Sequence, residues 1–196
     1  AYQSAAFYSK ERLQGRNLDG SSYPEMQADP IIVHPDVRRM LLTIRSFNEA
    51  ARALSLWVAL NVDISESHPD VDTRNNALDF LALITPIAKA FLTDIGFENV
   101  NIALQCYGGH GYIRDHGMEQ FVRDTRITQL YEGTSGIQAL DLVGRKLPKK
   151  MGGLLRQFFH PVDEFIQQNL SDKKLSEFIL PLAKSFARLQ QASAWV

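Results

Sequence analysis

The sequence predicts an all-α fold, an antiparallel up-and-down four-helix bundle with an additional helical tail. Three observations carry this. Apolar residues recur at three- and four-residue steps over long stretches, no segment alternates with period two for long enough to form a sheet, and the connections between the long stretches are short. A length of 196 residues allows one domain or one domain with an appendage, and 45% hydrophobic with 22% charged residues is enough to build a core.

Residues 1–14 (AYQSAAFYSKERLQ) read as a helix, with Tyr2, Ala5, Ala6 and Leu13 on one face. Residues 15–29, rich in Gly, Asn, Asp and Ser, with Pro24 inside and Pro30 after, read as a loop. From Asp36 to Asn61 the positions Val37, Met40, Leu41, Ile44, Phe47, Leu54, Trp57 and Val58 make one long amphipathic helix. A polar connection over 62–73 leads to a second long helix from Arg74 to Tyr107. That helix contains Pro86, at a cost of about 3 kcal/mol, and Gly96, at about 1 kcal/mol relative to Ala. Glycines 108, 109 and 111 then form a cluster, helices follow at 118–130 and 135–146, and Pro148, Gly152 and Gly153 mark a boundary. Residues 154–196 read as two more helices, so the predicted organisation is a bundle domain over 1–146 and a helical extension over 147–196. Neither the first helix nor the last carries a cap at its outer end, and the expectation is a piece cut from a longer protein.

Twenty-one Lys+Arg against 22 Asp+Glu, a net charge of −1, argue against nucleic acid or an anionic membrane as the main partner. Cys106, a lone cysteine, excludes an internal disulfide framework and a multi-cysteine zinc site, and fits a reducing, cytoplasmic setting. No apolar run approaches the length of a membrane span.

Chemistry has two candidate seats. In YEGTSGIQAL (131–140), Ser135 and Gln138 fit a capping box that opens a helix, which puts Glu132 on a short joint near that helix's positive end. Glu132 there is either a general base, if burial raises its pKa, or a charge that complements the helix dipole. In QCYGGHGYIRDHG (105–117), the glycines either let backbone amides approach a phosphate or end a helix and start a turn. His110, Asp115 and His116 match no metal-ligand spacing, Cys106 reads as packing, and Arg12 is a surface charge or a phosphate-holding fork.

Read in order, YSKERLQGR (8–16), HPDVRRML (34–41), QCYGGHGY (105–112) and RDTRITQLYEGTSGIQ (123–138) resemble the C-terminal helical domain of acyl-CoA dehydrogenases. The resemblance covers residues 1–146, and the tail is similar to the extension of a longer subgroup that includes 3-methylthiopropionyl-CoA dehydrogenases. It implies an FAD enzyme that desaturates an acyl-CoA thioester between Cα and Cβ and passes electrons to an electron-transfer flavoprotein. Glu132 matches the family's base, with Gly133 leaving the space beside it free, and Thr134 matches a position that contacts FAD. Arg12 matches the arginine that meets the FAD pyrophosphate. Gln105, Gly108 and Gly109 match a segment that touches the FAD of a neighbouring subunit, which implies a homo-oligomer, a dimer or tetramer. The chain departs from the commoner pattern at Gly15, where the family has Phe, and at Gly136, where it often has Gln, so neither of those flavin contacts is implied. The family's N-terminal helical and middle β-domains have no counterpart here, so the expectation is that this chain alone is inactive and self-associates through the apolar faces left bare. Two alternatives stand beside the dehydrogenase: an acyl-CoA oxidase, and a bundle of the same fold that acts without redox chemistry.

Overall fold

The two long helices predicted for the middle of the chain both run beyond their predicted bounds. The computed structural model describes residues 1–196 and contains seven α-helices and no strand: α1 Tyr2–Glu11, α2 Pro35–Ser67, α3 Val71–Tyr107, α4 Met118–Arg126, α5 Ser135–Asp141, α6 Gly153–Asn169 and α7 Ser176–Trp195. The helix α2 runs six residues past its expected end, because nothing in 62–67 breaks it; His68, which precedes Pro69, is disfavoured in a helix. The connection is therefore 68–70 rather than 62–73, and the Asp70 carboxylate caps α3 by accepting the Thr73 backbone N–H at 2.7 Å. The helix α3 passes through both Pro86 and Gly96. With the turn that follows it, α3 is long enough and apolar enough to cross a membrane by length and composition alone, a test that the core helix of a soluble bundle also passes.

Two compact units make up the chain, one of residues 1–60 and 87–138, the other of 61–86 and 139–196. In the first, Ala5 of α1, Met40, Leu41 and Ile44 of α2, Ala103 and Cys106 of α3, and Met118 of α4 form one buried cluster. The start of α2 thus packs on the end of α3, and Phe47 meets Phe91 with ring centroids 5.8 Å apart, so the two helices run antiparallel. Ile44 and Met118 are fully enclosed; truncation of either to Ala removes about 2–5 kcal/mol. Burial sets Cys106 as packing and pushes its thiol up to about 11, with the Asp36 charge adding to the shift.

The first helix stops at Glu11, not Gln14, because the next residues pair elsewhere. Leu13 bridges Pro30, Gln14 N–H donates to Asp29 O, and Ile31 N–H donates to Arg12 O. The loop so closed wraps the fully buried Asp29, which accepts backbone N–H groups of Asn17, Ser22 and Tyr23, the Ser21 hydroxyl and the Arg16 guanidinium. Burial pushes the Asp29 carboxyl up, but these backbone and hydroxyl donors outweigh it and hold the carboxyl far below the ordinary carboxylate range.

In the second unit, Lys150 pairs with Asp79 of α3, and Lys150 and Met151 both adopt left-handed backbone ahead of α6. The helices α6 and α7 form an antiparallel hairpin: Ile166 packs with Ile179, and Phe159 stands edge-on to Phe186 with centroids 5.2 Å apart. These are the two helices expected in the tail.

Candidate functional site

Both seats picked from the sequence lie in the first unit. Arg12, Gln105 and Gly108 line one groove of about 270 Å³, together with Tyr8, His34 and Cys106. Arg12 reaches it because α1 ends one residue earlier in an extended conformation, and Gln105 and Gly108 because α3 ends there in a 3-10 turn over Gly108–Tyr112. The two arginines of RLQGR have different fates. Arg16 is bound to Ser21, Asp29 and the carbonyls of Tyr23, Met26 and Gln27, whereas the exposed Arg12 guanidinium pairs with no carboxylate. Gly108 has φ +58, a conformation other residues adopt at a cost, and a Cβ added at Gly108 or Gly109 meets nothing within 4 Å. A free guanidinium beside uncovered glycine backbone suits a phosphate-bearing ligand, with Arg12 as the bidentate donor.

Beside that groove the rings of Tyr8 and Tyr107 stack at 4.0 Å, His110 and His116 stack at 5.2 Å, and Tyr8 Oη shares a 2.8 Å hydrogen bond with His110 Nδ1. The Tyr107 hydroxyl donates to Ser4 O at 3.1 Å. This aromatic cluster fixes the end of α3 to α1, a role that QCYGGHGY does not disclose.

Glu132 and Thr134 are not among the residues lining the groove; they stand exposed on the turn between α4 and α5. Glu132 has φ +53, unusual for a residue with a Cβ and worth about 1–3 kcal/mol of strain. The expected capping box does not form. Ser135 Oγ donates instead to the Asp94 carboxylate of α3 at 3.0 Å, and Gln138 Nε2 donates to the Glu132 carbonyl at 3.0 Å. The space beside Gly133 is not free either. With φ +84, the turn favours glycine here, and a Cβ would stand 2.8 Å from Gln138 Nε2, the movable end of the side chain that covers the turn. Lys89 Nζ donates to Gly133 O at 2.5 Å, and Gln129 Nε2 donates to Asp94 at 2.8 Å. Sequence reasoning missed Lys89 and Asp94. One signal could have found them: they are the two charged residues in the stretch from Phe80 to Phe97.

A family model for the acyl-CoA dehydrogenase C-terminal domain matches residues 24–147. The chain is 42% identical to 3-methylmercaptopropionyl-CoA dehydrogenase of Ruegeria pomeroyi over 158 residues, 81% of this chain and 26% of that protein. It is 34% identical to a butyryl-CoA dehydrogenase of Syntrophomonas wolfei over 99% of this chain and 30% of that protein, tail included. Among solved structures, ACDH-11 of Caenorhabditis elegans in complex with C11-CoA superposes with TM-score 0.77 at 23% identity, over 95% of this chain and 29% of that one. The electron transferring flavoprotein structure of Acidaminococcus fermentans matches with TM-score 0.56 at 28% identity, over 76% of this chain and 32% of that one. The chain spans between a quarter and a third of the length of these curated relatives.

Proposed function

This chain belongs to the acyl-CoA dehydrogenase family, and from that premise we propose that it is the C-terminal part of an FAD-dependent enzyme that desaturates an acyl-CoA thioester, with Glu132 as the base. The observation that carries the reading is the Glu132 turn itself. The backbone of Glu132 is held in a strained, left-handed conformation by hydrogen bonds to its own and the next carbonyl, while its carboxylate accepts none from within the chain. Strain of this kind persists where the surrounding structure enforces it, and it gathers at sites of chemistry.

Glu132 removes the proton from Cα of the thioester. Bound FAD supplies the acceptor for the hydride that leaves Cβ, so that the Cα–Cβ double bond forms without change in total charge. Glu132 is exposed in this chain, and the substrate and flavin, together with the rest of the full-length protein, supply the water exclusion that a general base requires. Arg12, in the groove that Gln105 and Gly108 also line, fits an FAD pyrophosphate by its free guanidinium, and Thr134, two residues beyond the base and outside that groove, offers a hydroxyl to the FAD beside Glu132. Gln105, Gly108 and Gly109 serve the FAD of a neighbouring subunit, so the active form is a dimer or tetramer. An electron-transfer flavoprotein takes the electrons onward, in a cytoplasmic protein whose residues 147–196 form a helical extension of the catalytic bundle at 1–146. Alignment of the butyryl-CoA dehydrogenase across the tail supports that last assignment.

The test is a flavin spectrum of the purified full-length protein during acyl-CoA addition. The flavin bands bleach in the parent. In Glu132→Gln the bands are present at equal intensity, and bleaching slows by about 10²–10⁴-fold. Unchanged bleaching in Glu132→Gln removes it from the mechanism.

A further inference from the structure

From Phe80 to Phe97 the helix α3 is apolar or neutral except at Lys89 and Asp94, both of them half-buried. Neither has a counter-ion: Lys89 and Asp94 take part in none of the chain's ion pairs. A charge drawn partly out of water without a partner is costly unless hydrogen bonds hold it. Packing of α3 would be served as well by leucine at either position.

Their hydrogen bonds converge on one place. Asp94 accepts Gln129 Nε2 at 2.8 Å, just before the Glu132 turn, and Ser135 Oγ at 3.0 and 3.1 Å, just after it. Lys89 donates to the Gly133 carbonyl between those two points at 2.5 Å. One rigid helix thus grips both ends and the middle of a turn in which Glu132 and Gly133 both have positive φ. Bonds in which donor or acceptor is charged are stronger than neutral ones, which suits them to hold a backbone that would relax otherwise.

We propose that Lys89 and Asp94 are positioning residues that hold the Glu132 carboxylate in its reactive place by clamping its turn to α3; this rests on the reading of Glu132 as base. They touch no reacting atom. Released from them, the turn moves toward the ordinary right-handed region and the carboxylate moves with it. A displacement of about 1 Å at a reacting group is enough to lower a rate by roughly a hundredfold.

Kinetics of the full-length, flavin-loaded enzyme test this. Lys89→Met removes the donor at constant length, Asp94→Ala removes the clasp, and Ser135→Ala cuts one leg of the clasp without touching either charge. The expected result is a fall in kcat of about 10–100-fold for the first two and about 3–10-fold for Ser135→Ala, with KM and flavin content near the parent's. Lys89→Arg, which keeps a charged donor, recovers most of the loss. Parental kcat in flavin-loaded Lys89→Met and Ser135→Ala overturns the proposal, as does a kcat loss that only follows lost flavin. Should Lys89→Met fail to fold, Ser135→Ala decides alone. Glu132→Gln run alongside separates the two readings. If it stays active, the base assignment has failed; if it is dead while the clamp variants are unimpaired, the positioning role alone has failed.

Discussion

Asp29 and Glu132 are both carboxylates on connections between helices of the same unit, and the chain treats them in opposite ways. Asp29 is sunk out of solvent and accepts from three backbone N–H groups, a hydroxyl and a guanidinium. Glu132 is exposed, its carboxylate accepts nothing within the chain, and the hydrogen bonds around it end on backbone carbonyls instead. At Asp29 the charge is the clamp and the loop is what it holds. At Glu132 the turn is clamped by others and the charge is left available. The two arginines beside these regions divide likewise, Arg16 bound into its loop and Arg12 free at the groove.

The largest break in this comparison comes from Asp29→Asn. It removes the charge and one acceptor oxygen, and the 16–28 loop opens to protease at least about tenfold faster at neutral pH. Acid does to the parent what the substitution does outright. Because the folded-state value is depressed, the charge stabilises the fold above the ordinary value of 3.8, and the benefit is lost as pH falls below 3.8 toward the lower folded-state value. The difference in cleavage between parent and variant, followed with an acid-active protease, therefore narrows below that pH and does not widen. A difference independent of pH would show that shape, not charge, holds the loop.

A smaller effect, placed on the other region, is Gly133→Ala. Its left-handed φ costs about 1–2 kcal/mol, the Gln138 amide that binds the Glu132 carbonyl is pushed aside, and the displaced turn lowers kcat of the full-length enzyme by roughly tenfold with flavin content intact. Parental kcat here would mean that the turn tolerates movement. Gly109→Asp has the smallest effect on the fold, since its Cβ meets nothing within 4 Å, and leaves the melting temperature within about 1–2 °C of the parent's. It still lowers FAD retention, through repulsion of a phosphate, on gel filtration of the purified protein. Parental retention would remove the glycine segment from the cofactor site.

The helices were legible from residues alone, and so were the two turns on which the candidate site residues sit. Apolar spacing at three and four residues reports which face of a helix is buried, and Met40, Leu41 and Ile44 are in the core that this spacing puts them in. The glycine run stood out because glycines punctuate a long helix, and YEGT because Ser135 and Gln138 have the spacing that opens one; the left-handed backbone at Gly108, Glu132 and Gly133 appears only in the structure. Tertiary contacts decided the rest, because hydrogen bonds between residues far apart in sequence have no local signature. They stopped α1 at Glu11 by pairing 12–14 with 29–31, and they turned Ser135 from a cap into a donor to Asp94. They also brought Lys89, more than forty residues away, onto the carbonyl beside the candidate base. Local pattern determines which segments become helices; which polar group a buried charge finds is settled only when those helices pack.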